Sequence, residues 1–342
     1  MLVQDEKMKK SFNIFLALAF LLGPMIIISQ GYYNRYDYRR KRHEFSLGGG
    51  ASNFLGELGG RDMVGSGFLY DLEFTKTSYV GEFSYTYYAM SKFSIRMNLA
   101  VGKVSGDDQL TQEFYRNNRN LNFESMIIEG ALMFQIHLIK EKTGNRYNLK
   151  SPAGRYLGIK NPIGIGIYAF TGIGGFSYNP VGQSPDGIKY KLKPLKTEGQ
   201  GLPGGAEAYS GVSACVPVGF GFRKAINGNG GIKLEASYRF TFTDYIDDVS
   251  TVYYNNDYLA SNVSVVAAQM ADPGLGATYE DYRPTHVGEF FTHTETGMQR
   301  GDASDNDGYM FITLSAYKQI NNAARGYRTI KVNQKRRIKA SF

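Results

Sequence analysis

The chain contains no tryptophan, a single cysteine and, after residue 30, no long apolar run. A lone Cys215 excludes an intrachain disulfide, and it stands too far from the amino terminus to be a lipid-modified first residue; it reads as a small side chain in a strand. Without a second run of the ~20 apolar residues that a spanning helix needs, any passage through a bilayer must use strands. The four histidines, His43, His137, His286 and His293, include no pair at the close helical spacing of a zinc site. His286 and His293 share one long loop with Glu289 and Glu295; a solvated loop is the plainer account than a metal or catalytic centre. No Gly-x-Ser-x-Gly or other nucleophile motif occurs, so an outer-rim hydrolase has nothing to build on, and neither an enzyme nor a bound cofactor is expected.

What is abundant is glycine (41), tyrosine (26) and phenylalanine (22), a balance that favours strands and turns over helices. Lys9 and Lys10 precede the apolar run from Phe12 to Ile28, broken by Asn13, Gly23 and Pro24 and followed by Ser29, Gln30 and Gly31. Residues 1–30 thus read as a cleaved secretory signal peptide, tidier if it starts at Met8, which drops Asp5 and Glu6. An uncleaved inner-membrane anchor is the alternative, but the run is short for one.

From His43 onward apolar and polar residues alternate with a period of two, the mark of strands with two unlike faces. Ile232, Leu234, Ala236, Tyr238, Phe240 and Phe242 oppose Lys233, Glu235, Ser237, Arg239, Thr241 and Thr243. Phe93 to Val101 and Val212 to Phe222 repeat the pattern. Strands are placed near 43–53, 79–90, 92–104, 122–139, 162–178, 210–224, 230–243 and 308–320. Several reach the ~9–11 residues of a tilted membrane strand. The odd-numbered connections (54–78, 105–121, 179–209, 244–307) are long, and those near Met90 to Lys92 and Ala225 to Asn229 are tight, as in outer-membrane barrels. The fourth, Lys140 to Asn161, is too long for that rule.

The expected fold is therefore all-β: a transmembrane antiparallel barrel of about eight strands over residues 43–320, of the small OmpA/OmpX-like kind, in a Gram-negative outer membrane. An Arg or Lys facing lipid at mid-depth costs about 2–4 kcal/mol, so the charged rows must face inward. In so narrow a barrel, Glu82, Arg96, Glu129, Arg223, Lys233, Glu235 and Arg239 are expected to pair with one another and leave no open pore. Tyr85, Tyr87, Tyr88, Tyr178 and Tyr309 suit the interfacial girdles.

Two further stretches invite a ligand and are better explained without one. Asp302 to Gly308 is acidic but lacks the glutamate that completes a calcium loop, and it reads as a turn whose Asp and Asn side chains bond their own backbone. Gly164 to Gly175 lies in a strand pattern with no helix after it, so close strand packing replaces phosphate binding. The termini carry more information. Residues 31–42 hold Arg39, Arg40, Lys41 and Arg42, and the tail 321–342 holds Lys335, Arg336, Arg337 and Lys339 with no acid. An even strand count puts both on the periplasmic side, where they can meet anionic headgroups, cell wall or an acidic partner protein, or remain solvated tails; nucleic acid is not expected.

Certain strings also resemble a known family. They are His43 to Leu58, Arg116 to Phe123, Phe240 to Tyr254 with the distinctive Thr243-Asp-Tyr-Ile-Asp-Asp-Val-Ser250, Gln299 to Asp302 and Asp305 to Met310. Together these are similar to the PorG-type outer-membrane barrels of the Bacteroidetes type IX secretion system. The resemblance implies a barrel that associates with the periplasmic ring of that machine, with gliding motility as one output, and it supplies no catalytic residues. A competing expectation is a surface receptor or adhesin acting through the loops 179–209 and 244–307.

Overall fold

A computed structural model of the chain describes residues 41–56, 58, 76–110, 114–141, 164–227, 229–275 and 294–320. Eight strands form the wall: β1 (His43–Leu55), β2 (Ser78–Tyr87), β3 (Phe93–Asp107), β4 (Asn122–Ile139), β5 (Gly166–Ser177), β8 (Val212–Ala225), β9 (Gly230–Thr241) and β10 (Gly308–Ile320). Each pairs antiparallel with the next, and β1 closes on β10 in unbroken register from His43 opposite Ile320 to Leu55 opposite Gly308. The sheet is thus a closed barrel, which leaves no wall edge unpaired. Its strands of 10 to 18 residues exceed those of ordinary soluble sheets.

The period-two pattern becomes two surfaces. On β3, Ile95, Met97, Leu99 and Val101 stand exposed, while Ser94, Arg96, Asn98 and Ala100 between them are buried. β9 repeats this, with Ile232, Leu234 and Phe240 outside and Lys233, Glu235 and Arg239 inside. A continuous apolar exterior around a charged interior is stable only where the exterior meets hydrocarbon, so the wall is a transmembrane barrel.

His43 and Ile320 lie at the end that also carries the tight turns. There Tyr88 N–H donates to Arg42 O at 2.8 Å and Ile226 N–H to Gly230 O at 3.0 Å. The long fourth connection springs from the same end, and residues 142–163 lie outside the described set. Close strand approach explains the glycines at two places. A Cβ on Gly50 would sit 1.9 Å from Ile312 O, and one on Gly172 would sit 2.1 Å from Leu132 O.

At the opposite end the connections after β5 and β9 are not plain loops. The first forms a small hairpin, β6 (Pro180–Gln183) with β7 (Lys189–Lys191), attached to β4 through Glu124 opposite Val181. The second contributes two short helices, α2 (Asn256–Asn262) and α3 (Val265–Ala271), started by Asn255 and Ser264, whose side chains accept the N–H groups of Tyr258 and Ala267. With α1 (Phe114–Arg119) between β3 and β4, these segments make a cap over the barrel mouth. Alternation cannot reveal such pieces, because none is long enough to show a period.

The placement of three tyrosines needs correction. Tyr88, Tyr178 and Tyr309 are buried rather than set in an interfacial girdle, whereas Tyr85 and Tyr87 are half-buried on the outer row. Tyr309 shares the parity of Phe311 and Thr313, which face inward from β10, so its own strand pattern holds it in the lumen.

Candidate functional site

The lumen is filled by three levels of charge. Nearest the termini, the Arg223 guanidinium reaches Glu44 at 2.9 Å and Glu141 at 2.8 Å and also bonds Tyr88 Oη. Lys233 donates to Ser46 Oγ at 2.9 Å and lies 3.5 Å from Glu44. At mid-height Arg96 meets Glu235 at 2.5 Å, Tyr168 bonds the same carboxylate, and Thr313 donates to Glu82 at 3.4 Å. Nearest the cap, Arg239 and Tyr309 both donate to Glu129 at 2.9 Å, and Arg239 lies over the Phe311 ring at 3.9 Å.

Of the seven lumen residues expected from sequence, two pairs form within the set, Arg96 with Glu235 and Arg239 with Glu129. Arg223 and Lys233 turn instead to Glu44, and Arg223 also to Glu141. The reason is level: both cations sit near the β8–β9 turn, and the start of β1 brings Glu44 to that height. Glu44 was legible in principle, since it lies on the inward row of β1 with Ser46. Tyr88 shares the inward parity of Glu82, Ser84 and Thr86, and Tyr168 that of Phe170, but parity does not say which carboxylate each hydroxyl meets.

Of the candidate partner contacts, only Lys41 and Arg42 are described, and Arg42 donates to Tyr87 Oη at 2.9 Å. Arg39, Arg40, Lys335, Arg336, Arg337 and Lys339 lie outside the described residues, as do His286, Glu289 and His293. His137 faces the lumen, within 3.0 Å of Ser94 Oγ, and His43 bonds Tyr85 Oη at 2.7 Å.

Above the lumen, an apolar plug of Phe54, Phe123, Ile127, Phe176 and Phe311 packs against Leu192, Ile246, Val249 and Met270 of the cap. The cap is organised by Arg300, fully buried, which donates to Glu198 Oε1 at 2.9 Å and Asp248 O at 2.7 Å. Glu198 also accepts the N–H groups of Ser250 and Thr251, at 2.9 and 3.1 Å. Asp248 adopts a left-handed φ of 68° and accepts bonds from Thr197 at 2.6 Å and Tyr209 at 2.5 Å. Burial raises its carboxyl to about 6, against the pull of Arg300. Asp108 is likewise raised by burial, opposed by Arg119, which grips it at 2.7 and 3.0 Å. Asp302 accepts the N–H of Ser304 at 3.1 Å, so the acidic stretch before β10 begins in a self-bonded turn.

A third region lies at the rim, outside the wall. The β6–β7 hairpin stands off β3 and β4 and encloses a polar cleft of about 480 Å³. Glu124 holds Lys103 on one oxygen and Lys189 on the other. Sequence reading missed the cleft because its two walls are about 65 residues apart and meet only through the hairpin.

These features define a class: a small transmembrane β-barrel with an ion-paired interior and a folded cap. No family model and no curated protein matches the chain. Among solved structures it is similar to the attachment invasion locus protein Ail of Yersinia pestis (8% identity, 82% of this chain and 99% of that one, TM-score 0.33). Other similar structures are Neisserial surface protein A (9%, 80% and 96%, TM-score 0.30) and OprG from Pseudomonas aeruginosa (10%, 81% and 97%, TM-score 0.30). The assignment of the fold rests on the closed strand ladder itself.

Proposed function

We propose that the protein is an outer-membrane barrel with a structural role in the type IX secretion system, docking periplasmic ring proteins through the barrel end that carries its termini. One observation carries the reading. The strings that resemble the PorG-type family are scattered over the sequence, yet they meet in one place. Arg119 donates to Arg300 O at 2.6 Å, Arg300 to Asp248 O, Asp307 accepts the Ile246 N–H at 2.9 Å, and Phe54 meets Phe123 edge-on at 4.7 Å. The shared strings thus specify one structural unit, the cap and its seat on the barrel. The outer-membrane placement follows from a spanning structure made wholly of strands, and the ion-paired lumen favours an anchor over a channel.

The test is deletion of the chromosomal copy in a strain competent for this secretion route, with comparison of surface and medium proteins. Loss of secreted cargo, restored by the full chain and not by one lacking residues 321–342, supports ring docking through the tail. Unchanged secretion would remove the role.

A surface receptor is the second reading, favoured by the folding of the described parts of the connections 179–209 and 244–307 into a single cap. Deleting residues 321–342 should spare ligand capture under this reading and abolish secretion under the first.

A further inference from the structure

The rim cleft lies where a membrane headgroup would meet the protein. On the outer face of the wall, Lys103 is opposite Met126, and Val101 is opposite Ile128 two residues closer to mid-membrane, a step of about 7 Å. Val101, Met126 and Ile128 are exposed apolar side chains. The lipid-facing surface therefore runs directly up to a pair of ammonium groups.

Those ammonium groups are held in place. Lys103 and Lys189 flank the single carboxylate of Glu124, which leaves one positive charge over, and Lys189 is half exposed. Lys76 also lines the cleft, on the same wall as Lys103, and is anchored on Asp107 at 2.9 Å. The two walls are clamped by Asn122, which donates to Gln183 O at 3.0 Å and accepts the Gln183 N–H at 2.7 Å. Ser184, only 4% exposed, lines the cleft, and its hydroxyl has no hydrogen-bond partner among the described residues. A buried orphan hydroxyl beside fixed amides suits sugar hydroxyls, and paired ammonium groups at the mouth suit a phosphate.

From this placement we infer that the cleft binds the phosphorylated sugar headgroup of a glycolipid in the outer leaflet, with its acyl chains lying along Val101, Met126 and Ile128. The inference depends on the outer-membrane reading and not on the secretion role.

The test uses the full-length protein in detergent micelles, with native mass spectrometry reading bound lipid and gel mobility before and after heating reading the folded barrel. The probes are monophosphoryl lipid A, fully dephosphorylated lipid A and soluble glucosamine 1-phosphate. Wild type should retain the phosphorylated lipid at about tenfold or higher affinity over the dephosphorylated one, because the ion pairing is lost. Lys103→Gln with Lys189→Gln should lose that preference, and Lys103→Arg with Lys189→Arg should keep it. Should the double Gln variant not fold, Lys189→Gln alone carries the test, since its side chain is half exposed. Equal binding by wild type and the Gln variants would overturn the site. Soluble glucosamine 1-phosphate binding as tightly as the lipid would overturn the assignment to a membrane headgroup. Either failure, with a folded, membrane-inserted barrel, leaves the outer-membrane reading standing.

Discussion

Arg119 donates a hydrogen bond to the carbonyl oxygen of Arg300 at 2.6 Å, joining two parts of the cap 181 residues apart in sequence. Both guanidinium groups also hold a buried carboxylate, Asp108 and Glu198 respectively. The outer connections are thus tied through two ion pairs and a peptide oxygen.

Replacing Arg300 with alanine should loosen the cap and spare the wall. Glu198 would keep its burial and lose its cation, a change worth about 3–5 kcal/mol. Limited proteolysis should cut within 179–211 or 242–307 at much lower protease concentration, while the folded band on unheated gels persists. Unchanged protease resistance would count against the arrangement.

Cap stability should depend on pH through Asp248. Its folded carboxyl is raised to about 6 from an ordinary 3.8, so the folded state binds the proton more tightly. The sign follows: the contribution is full below about 4, falls as pH rises from 4 to 6 and is flat above, about 3 kcal/mol in all. Asp108, shifted in the same direction, adds to the slope. Hydrogen exchange of cap amides should slow on going from pH 7 to pH 5 after correction for intrinsic rates, and Asp248→Asn should flatten most of the change.

Within the lumen, Arg96→Met should destabilise the barrel by about 3–5 kcal/mol, because it strands Glu235 in the interior. The double change Arg96→Met with Glu235→Leu should recover most of that loss. Denaturation in urea with lipid vesicles reads both, and a double variant no better than the single one would disprove the coupling.

Purified protein in planar bilayers should show no porin-like conductance steps. The column from Arg223 through Arg96 to Arg239 occupies the interior, and the apolar plug sits above it. Steady openings in the wild type would show that the column moves aside.

The wall was legible because each strand repeats one bit of information, inward or outward, many times over. A strand such as β4 fixes its own parity with eighteen residues. Pairings inside the lumen were less legible, since parity gives the face of Glu44 and Arg223 but not their relative height, which depends on the register of β1 against its neighbours. The cap was least legible. Arg300, Glu198 and Asp248 belong to irregular segments with no period, and their roles emerge only when distant turns meet. The stretches singled out in the sequence include Asp248 and Arg300 but not Glu198.

Pro217 has no N–H, and the pairing of β5 with β8 is interrupted there, passing from Thr171 opposite Val218 to Gly174 opposite Cys215. In ring order β5 stands four strands from β1. The cylinder therefore has a built-in line of weakness three strands, β8, β9 and β10, away from its thirteen-residue closing seam. Unzipping under load should start beside the proline, and the terminal strands should part last.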